Sequence, residues 1–227
     1  MTAIAITKEI AQKVRDTVDA GLSHGLGTRK PGQMCVEAAV CYALGLPHGD
    51  DPGCVSQSLR CIKIRLNDSS WSSNEARAKG LRRLAIAQLG SASVLDAQEF
   101  VQRVQDVTIR RAVPQGLRAA ASINPKHAQA LEAAAARCER EGTRASCENA
   151  RVVARVTYAA ATNAADAAAY ATDAAADAAD AADAAADAAA DAARDKSLAQ
   201  YAEWIVEILI DMKAPGCRWL YLTPKAA

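Results

Sequence analysis

The chain has 227 residues, 51% hydrophobic and 4% aromatic, with a formal net charge of +1. That length is enough to bury a core, and with only nine aromatics the core has to be built from Ala, Val, Leu and Ile. No alternating β-branched run longer than a few residues appears, which excludes a sheet protein and predicts an all-α multi-helix bundle.

The charge is unevenly placed. Residues 1–155 carry 22 Lys/Arg against 15 Asp/Glu, a balance of +7, and residues 156–227 carry 5 against 11, a balance of −6. The two parts attract each other, which argues against a basic face left free for nucleic acid. The seven Cys include no C-x-x-C pair, the N-terminus MTAIAITKEIAQKV lacks a signal-peptide apolar region, and every long apolar stretch carries charge. The expectation is a cytoplasmic protein with free thiols and no membrane span.

In chain order, Thr7 to about Ala20 reads as a helix with Ile6, Ile10, Val14 and Val18 on one face. The loop GLSHGLGTRKPG, 21–32, places Arg29 and Lys30 before the next helix, where free backbone amides and two cations can hold a phosphate or carboxylate. Its spacing is neither a Walker A nor a dinucleotide fingerprint. Gln33 to Leu44 is apolar all round except for Glu37, which must therefore find a cation, expected to be an Arg, or stay protonated with a raised pKa and line a ligand pocket. In GLPHGDDPG, 45–53, Asp51 and Pro52 read as N-cap and first residue of a helix running to about Leu66, which leaves His48 and Asp50 for a cleft. That helix is expected to turn Val55, Leu59, Ile62 and Leu66 inward and Arg60, Lys63 and Arg65 outward.

After the SSWSSN turn with Trp71, a helix from about Asn74 to Leu89 completes a stretch, 60–83, with seven basic and two acidic residues. It contains no nucleic-acid reading motif. Val94 to Val113 reads as a helix ended by Pro114, and Asn124 with Pro125 starts another that runs to about Glu141. From about Cys147 a helix enters the Ala-rich run, in which 24 of residues 159–193 are Ala. Asp166, Asp173, Asp177, Asp180, Asp183, Asp187, Asp191 and Asp195 fall within an arc of roughly 120° at helical spacing. The expectation is a long Ala-rich post with an acidic stripe, packed by neighbours. Unbroken to 213 it would be about 100 Å long, so a bend is expected at Arg194 to Ser197, then a helix through Ile205 and Ile208, then an extended apolar tail Trp219 to Leu222. The domain reading is 1–145 and 146–227, the second part packed on the first.

The strings MCVEAAVCYALGLPHGDDPGCV, the LND of Leu66 to Asp68, GLRRLAIAQLG (80–90), ARDKSL (193–198) and KAPGCRWL (213–220) resemble a helical family of phage and actinobacterial proteins that has no established activity. The likeness covers roughly 55–60% of the chain. It implies a phage-encoded accessory protein that sequesters a host signal or blocks a host protein, and it carries over no catalytic residue. The actinobacterial pattern has Ser-Asp-His-Pro where this chain has Gly49, Asp50, Asp51 and Pro52, so a role that needs a His directly before that proline does not carry over.

None of the common hydrolase, zincin, P-loop, EF-hand or kinase signatures is present. Cys35, Cys41, Cys54 and His48 are the only set from which a zinc site could be built, and their spacing is non-standard. They read as buried small hydrophobes and a loop His, so no metal or cofactor is expected. What remains is a cleft of Arg29, Lys30, Glu37, His48, Asp50 and Trp71, suited to a small anionic, nucleotide-like ligand. The leading expectation is a binding module, not an enzyme, for such a ligand or for a host protein. The rivals are a hydrolase acting on a phosphate-containing substrate with Glu37 or Asp50 as general base, and a homo-oligomeric adaptor using the Ala face and the tail.

Overall fold

Ala and straight-chain residues dominate the sequence, and the computed structural model places them in helices: residues 5–169 and 176–225 are described, with side chains for 5–156 and 191–225. The protein is all-α. Among the described residues there are nine α-helices and no sheet, with one isolated antiparallel bridge between Gly27 and Met34. By contact the chain forms two units, 1–101 with 189–227, and 102–188. This division runs along other lines than the boundary at 145 read from the sequence.

In the first unit, α1 (Lys8–Asp19), α2 (Val36–Ala43), α3 (Gln57–Asn67) and α4 (Asn74–Ala87) surround a core that includes Val14, Val18, Val40, Leu59, Leu81 and Leu84, all without exposed surface. Local chemistry sets the starts. Thr7 accepts from the Ile10 amide, Cys35 Sγ from Ala38, and Ser73 from Ala76, each satisfying a donor of the first turn. Asp51 and Pro52 do not open α3 as expected. The N-cap is Ser56, while Asp51 accepts from the Gly53 amide and pairs with Arg60 at 2.7 Å. An Asp two residues before a Gly closes its own turn more cheaply than it starts a helix.

The C-terminal part of this unit is the end of α9 (Ala176–Asp211) and a 3-10 helix, Pro215–Leu222, where an extended tail was expected. This segment docks on the body: Gly216 N donates to Leu89 O at 2.8 Å, Arg218 to Ile6 O at 2.6 Å, and Arg83 to Thr223 O at 2.5 Å. The backbone stays α-helical through Arg194 to Ser197, the place expected for a bend. There Asp195 accepts the Ser72 amide at 2.9 Å and its hydroxyl, which holds α9 to the loop before α4.

The second unit contains α6 (Val113–Ile123), α7 (Ala128–Glu141) and α8 (Arg144–Ala169) around Leu117, Leu131, Ala135 and Cys138. Pro114 starts α6 and does not end its predecessor: α5 (Ala97–Val107) passes through a π-helical turn, Thr108–Ala112, directly into it. In the first turn of a helix a proline's missing N–H breaks no bond of that helix, so the run continues through it. Pro125 lies in a short 3-10 turn before α7, and Gly142, with φ +61°, ends α7 in the left-handed conformation. The acidic stripe from Asp166 to Asp187, and whatever packs on the Ala face, lie outside the described side chains.

Candidate functional site

Glu37 sits in the first turn of α2 with no exposed surface, among Val36, Ala38, Val40 and Cys41. Its partner is a Lys, not the expected Arg: Lys63 Nζ lies 2.9 Å from Glu37 Oε1, and both side chains are fully buried. Lys63 was expected to face outward. It stands instead on the buried face of α3, four residues after Leu59 and three before Leu66, both buried. That spacing was the available signal, because a cation at i+4 and i−3 from two core leucines shares their stripe.

Beyond that one contact, the carboxylate and the ammonium have no hydrogen-bond partner among the described residues. Burial pushes the Glu37 carboxyl above its ordinary range, opposed by Lys63, and pushes the Lys63 ammonium below its own, opposed by Glu37. The thiols of Cys35, Cys41 and Cys54 surround the pair electrostatically. Burial raises all three, Cys41 to about 12, so they are thiols and not thiolates.

Glu37 is also one wall of a cavity of about 90 Å³, lined by Gly25, Leu26, Cys35, Val36, Asp50, Ile64, Asn67 and Asp68. The LND segment at the end of α3 builds this place. Asn67 Oδ1 accepts the Val36 amide at 3.2 Å, its Nδ2 donates to Ser23 O at 3.0 Å, and Asp68 Oδ1 accepts the Gly25 amide at 2.8 Å. In the sequence Asn67 and Asp68 stand out only as part of the LND string, although a polar pair directly after a core Leu is suited to tie down a neighbouring loop. Gly27 makes the loop fold back, since a Cβ there would lie 2.0 Å from Gln33 O.

The six expected site residues separate into three groups. Glu37 and Asp50 line the cavity. His48 Nε2 lies 3.0 Å from Gly27 O, and Arg29 donates to Leu46 O at 3.1 Å, so these two fasten the glycine loop to the 45–53 loop. Lys30 and Trp71 do not line the cavity. Lys30 is exposed in the loop, and Trp71 is buried against α4, its Nε1 donating to Leu66 O at 2.9 Å and its ring where a Cβ on Gly80 would be, 2.3 Å away. The stretch of seven cations is also dispersed. Arg60, Arg82 and Arg83 pair with Asp51, Asp19 and Glu203, Lys63 with Glu37, and Arg77 donates to the carbonyls of Asn67 and Leu22.

Among the described residues no group of three His, Cys, Asp or Glu side chains is placed to hold a metal ion. No described helix is long and apolar enough to cross a membrane. The chain matches no protein-family model, no curated protein and no solved structure.

Proposed function

We propose that the protein is a binding module whose site is the cavity beside the N-terminus of α2. One observation carries this reading: Glu37, whose buried carboxylate has Lys63 as its one ionic partner, belongs to the lining of a cavity whose other polar side chains include Asp50, Asn67 and Asp68. Buried polar groups are normally saturated, and clusters left short of partners are where ligands complete the set. A volume of about 90 Å³ is well below the roughly 300 Å³ of pockets that take a whole small molecule. The cavity therefore takes the head of a ligand, not a nucleotide.

A second reading has one observation behind it. Glu37 and Asp50 share the cavity, and the upward shift of Glu37 is what a general acid or base needs. Against it, the Glu37 carboxylate is in contact with Lys63, and the adjacent Cys35 is an inert thiol. The two separate in one experiment: protein purified from cells is denatured and the supernatant analysed by mass spectrometry, while intact protein is incubated with phosphate esters. Release of an unmodified small molecule is expected. Product formation that is lost in Glu37→Gln would establish the hydrolase instead.

A further inference from the structure

The second unit carries a pair of cysteines that the binding reading does not use. Cys138, near the end of α7, has no exposed surface and belongs to the core of Leu131, Ala134, Ala135 and Ala150. Its thiol donates to Ser146 O at 3.4 Å. That oxygen belongs to the planar peptide unit that also contains the Cys147 Cα, so the Cys138 sulfur lies against the backbone from which the Cys147 side chain leaves. Burial raises the Cys138 thiol, the hydrogen bond to Ser146 lowers it in part, and charge on Cys147 raises it further, so the two sulfurs are within electrostatic reach of each other.

Local chemistry holds this arrangement. Only Gly142 and Thr143 join α7 to α8. The Ser146 amide donates to Thr143 Oγ1 and the Thr143 amide to Ser146 Oγ, both at 3.2 Å, which fixes the first turn of α8. The Arg110 guanidinium donates to the carbonyls of Glu139, Arg140 and Glu141, which fixes the last turn of α7. The cysteine pair sits between these two fastened turns.

Exposure divides the roles. Cys147 is half-buried, so an oxidant can reach it, whereas Cys138 is closed to solvent. A reachable thiol beside a sheltered one is the arrangement of a peroxide-sensitive cysteine with its resolving partner. Among the other thiols, Cys35, Cys41 and Cys54 are buried, and burial raises Cys217 to about 11, which leaves it little thiolate to react.

We propose that Cys138 and Cys147 form a reversible disulfide when the protein meets a hydroperoxide. With hydrogen peroxide, the Cys147 sulfur gives up its proton and attacks the O–O bond, so that Cys147 becomes a sulfenic acid and one water leaves. The Cys138 sulfur then attacks the Cys147 sulfur, its proton goes to the departing hydroxyl, and a second water leaves as the S–S bond forms. Two thiols are oxidised and one peroxide is reduced. The bond ties the first turns of α8 to the last turn of α7, and a thiol reductant restores both cysteines by exchange. This inference is independent of the cavity reading.

The test exposes the full, reduced chain to a small excess of hydrogen peroxide, alkylates it in denaturant and digests it with trypsin without reductant. Arg140 and Arg144 lie between the two cysteines, so trypsin leaves them on separate peptides, one ending at Arg140 and one running from Ala145 to Arg151. A disulfide joins these into one species, two hydrogen masses below their sum. That species is expected from the folded chain, and dithiothreitol is expected to abolish it. Cys61→Ser should leave its yield unchanged. Cys147→Ser should abolish it and leave Cys138 fully open to alkylation after unfolding; Cys147→Ala serves if the serine variant melts below the wild type. Cys147 oxidised to sulfinic acid while Cys138 stays a thiol would overturn the proposal. So would Cys138 joined to any other cysteine, or a joined species that forms only in the unfolded chain.

Discussion

The protein contains two kinds of ion pair, and the contrast between α2–α3 and α6–α7 shows what burial does to the same chemistry. In the second unit Arg118 on α6 reaches Glu139 at 2.5 Å and Glu132 at 3.2 Å on α7, with all three side chains 40–51% exposed. Hydrogen bonding to Arg118 holds the Glu139 carboxyl below its ordinary pKa range, and Glu139 and Glu132 push the Arg118 guanidinium up. Each partner favours the charged form of the other. In the first unit Glu37 and Lys63, at 2.9 Å, move the opposite way, because desolvation outweighs their mutual attraction. An exposed pair fine-tunes a surface, whereas a buried pair is a cost that the fold retains, and it is retained beside the cavity.

The largest expected effect breaks the buried pair. Lys63→Met leaves Glu37 alone in the core and should cost about 3–5 kcal/mol in chemical denaturation, while Glu37→Leu combined with Lys63→Met should be neutral or more stable by about 1–4 kcal/mol. The sign with pH follows from the shifts. Glu37, raised above 4.5, makes folding more favourable as pH falls through its folded value toward 4.5, and Lys63, lowered below 10.5, makes it more favourable as pH rises toward 10.5. The wild type should therefore show a stability trough at neutral pH that the double replacement removes. A double variant as unstable as Lys63→Met would mean that the pair stabilises the fold outright.

Gln88, at the end of α4, gives an uncharged version of the same comparison. It has no exposed surface, and neither side-chain polar atom has a hydrogen-bond partner among the described residues. Gln88→Met keeps the volume and removes the uncompensated amide, so a gain of about 1–2 kcal/mol is expected. A loss of that size would reveal a partner that the static geometry hides.

The smallest effect is expected in the exposed network. Arg118→Ala should leave the unfolding midpoint unresolved from the wild type at physiological salt, with any difference confined to low ionic strength. A drop comparable to that of Lys63→Met would show that solvent does not screen this cluster and would remove the contrast between the two regions.

The all-α class was legible in the sequence because it depends on local terms: Ala propensity, helical spacing of Val14 and Val18, and caps such as Thr7 and Gly142 act within a turn or two of themselves. The isolation of Glu37 was legible for the same reason, since its apolar neighbours are on its own helix. Its partner was not, because Lys63 is 26 positions away and meets Glu37 only through the rotation of α3 against α2. Trp71 read as a cleft residue until Gly80 gave it a slot, and the run of cations from Arg60 to Arg83 read as a patch until Arg60, Lys63, Arg77, Arg82 and Arg83 found acceptors of their own. Backbone preference is additive along the chain, and the sequence by itself determined it. Which buried charge faces which, and which loop closes over them, depends on distances between elements, and only the tertiary structure decided that.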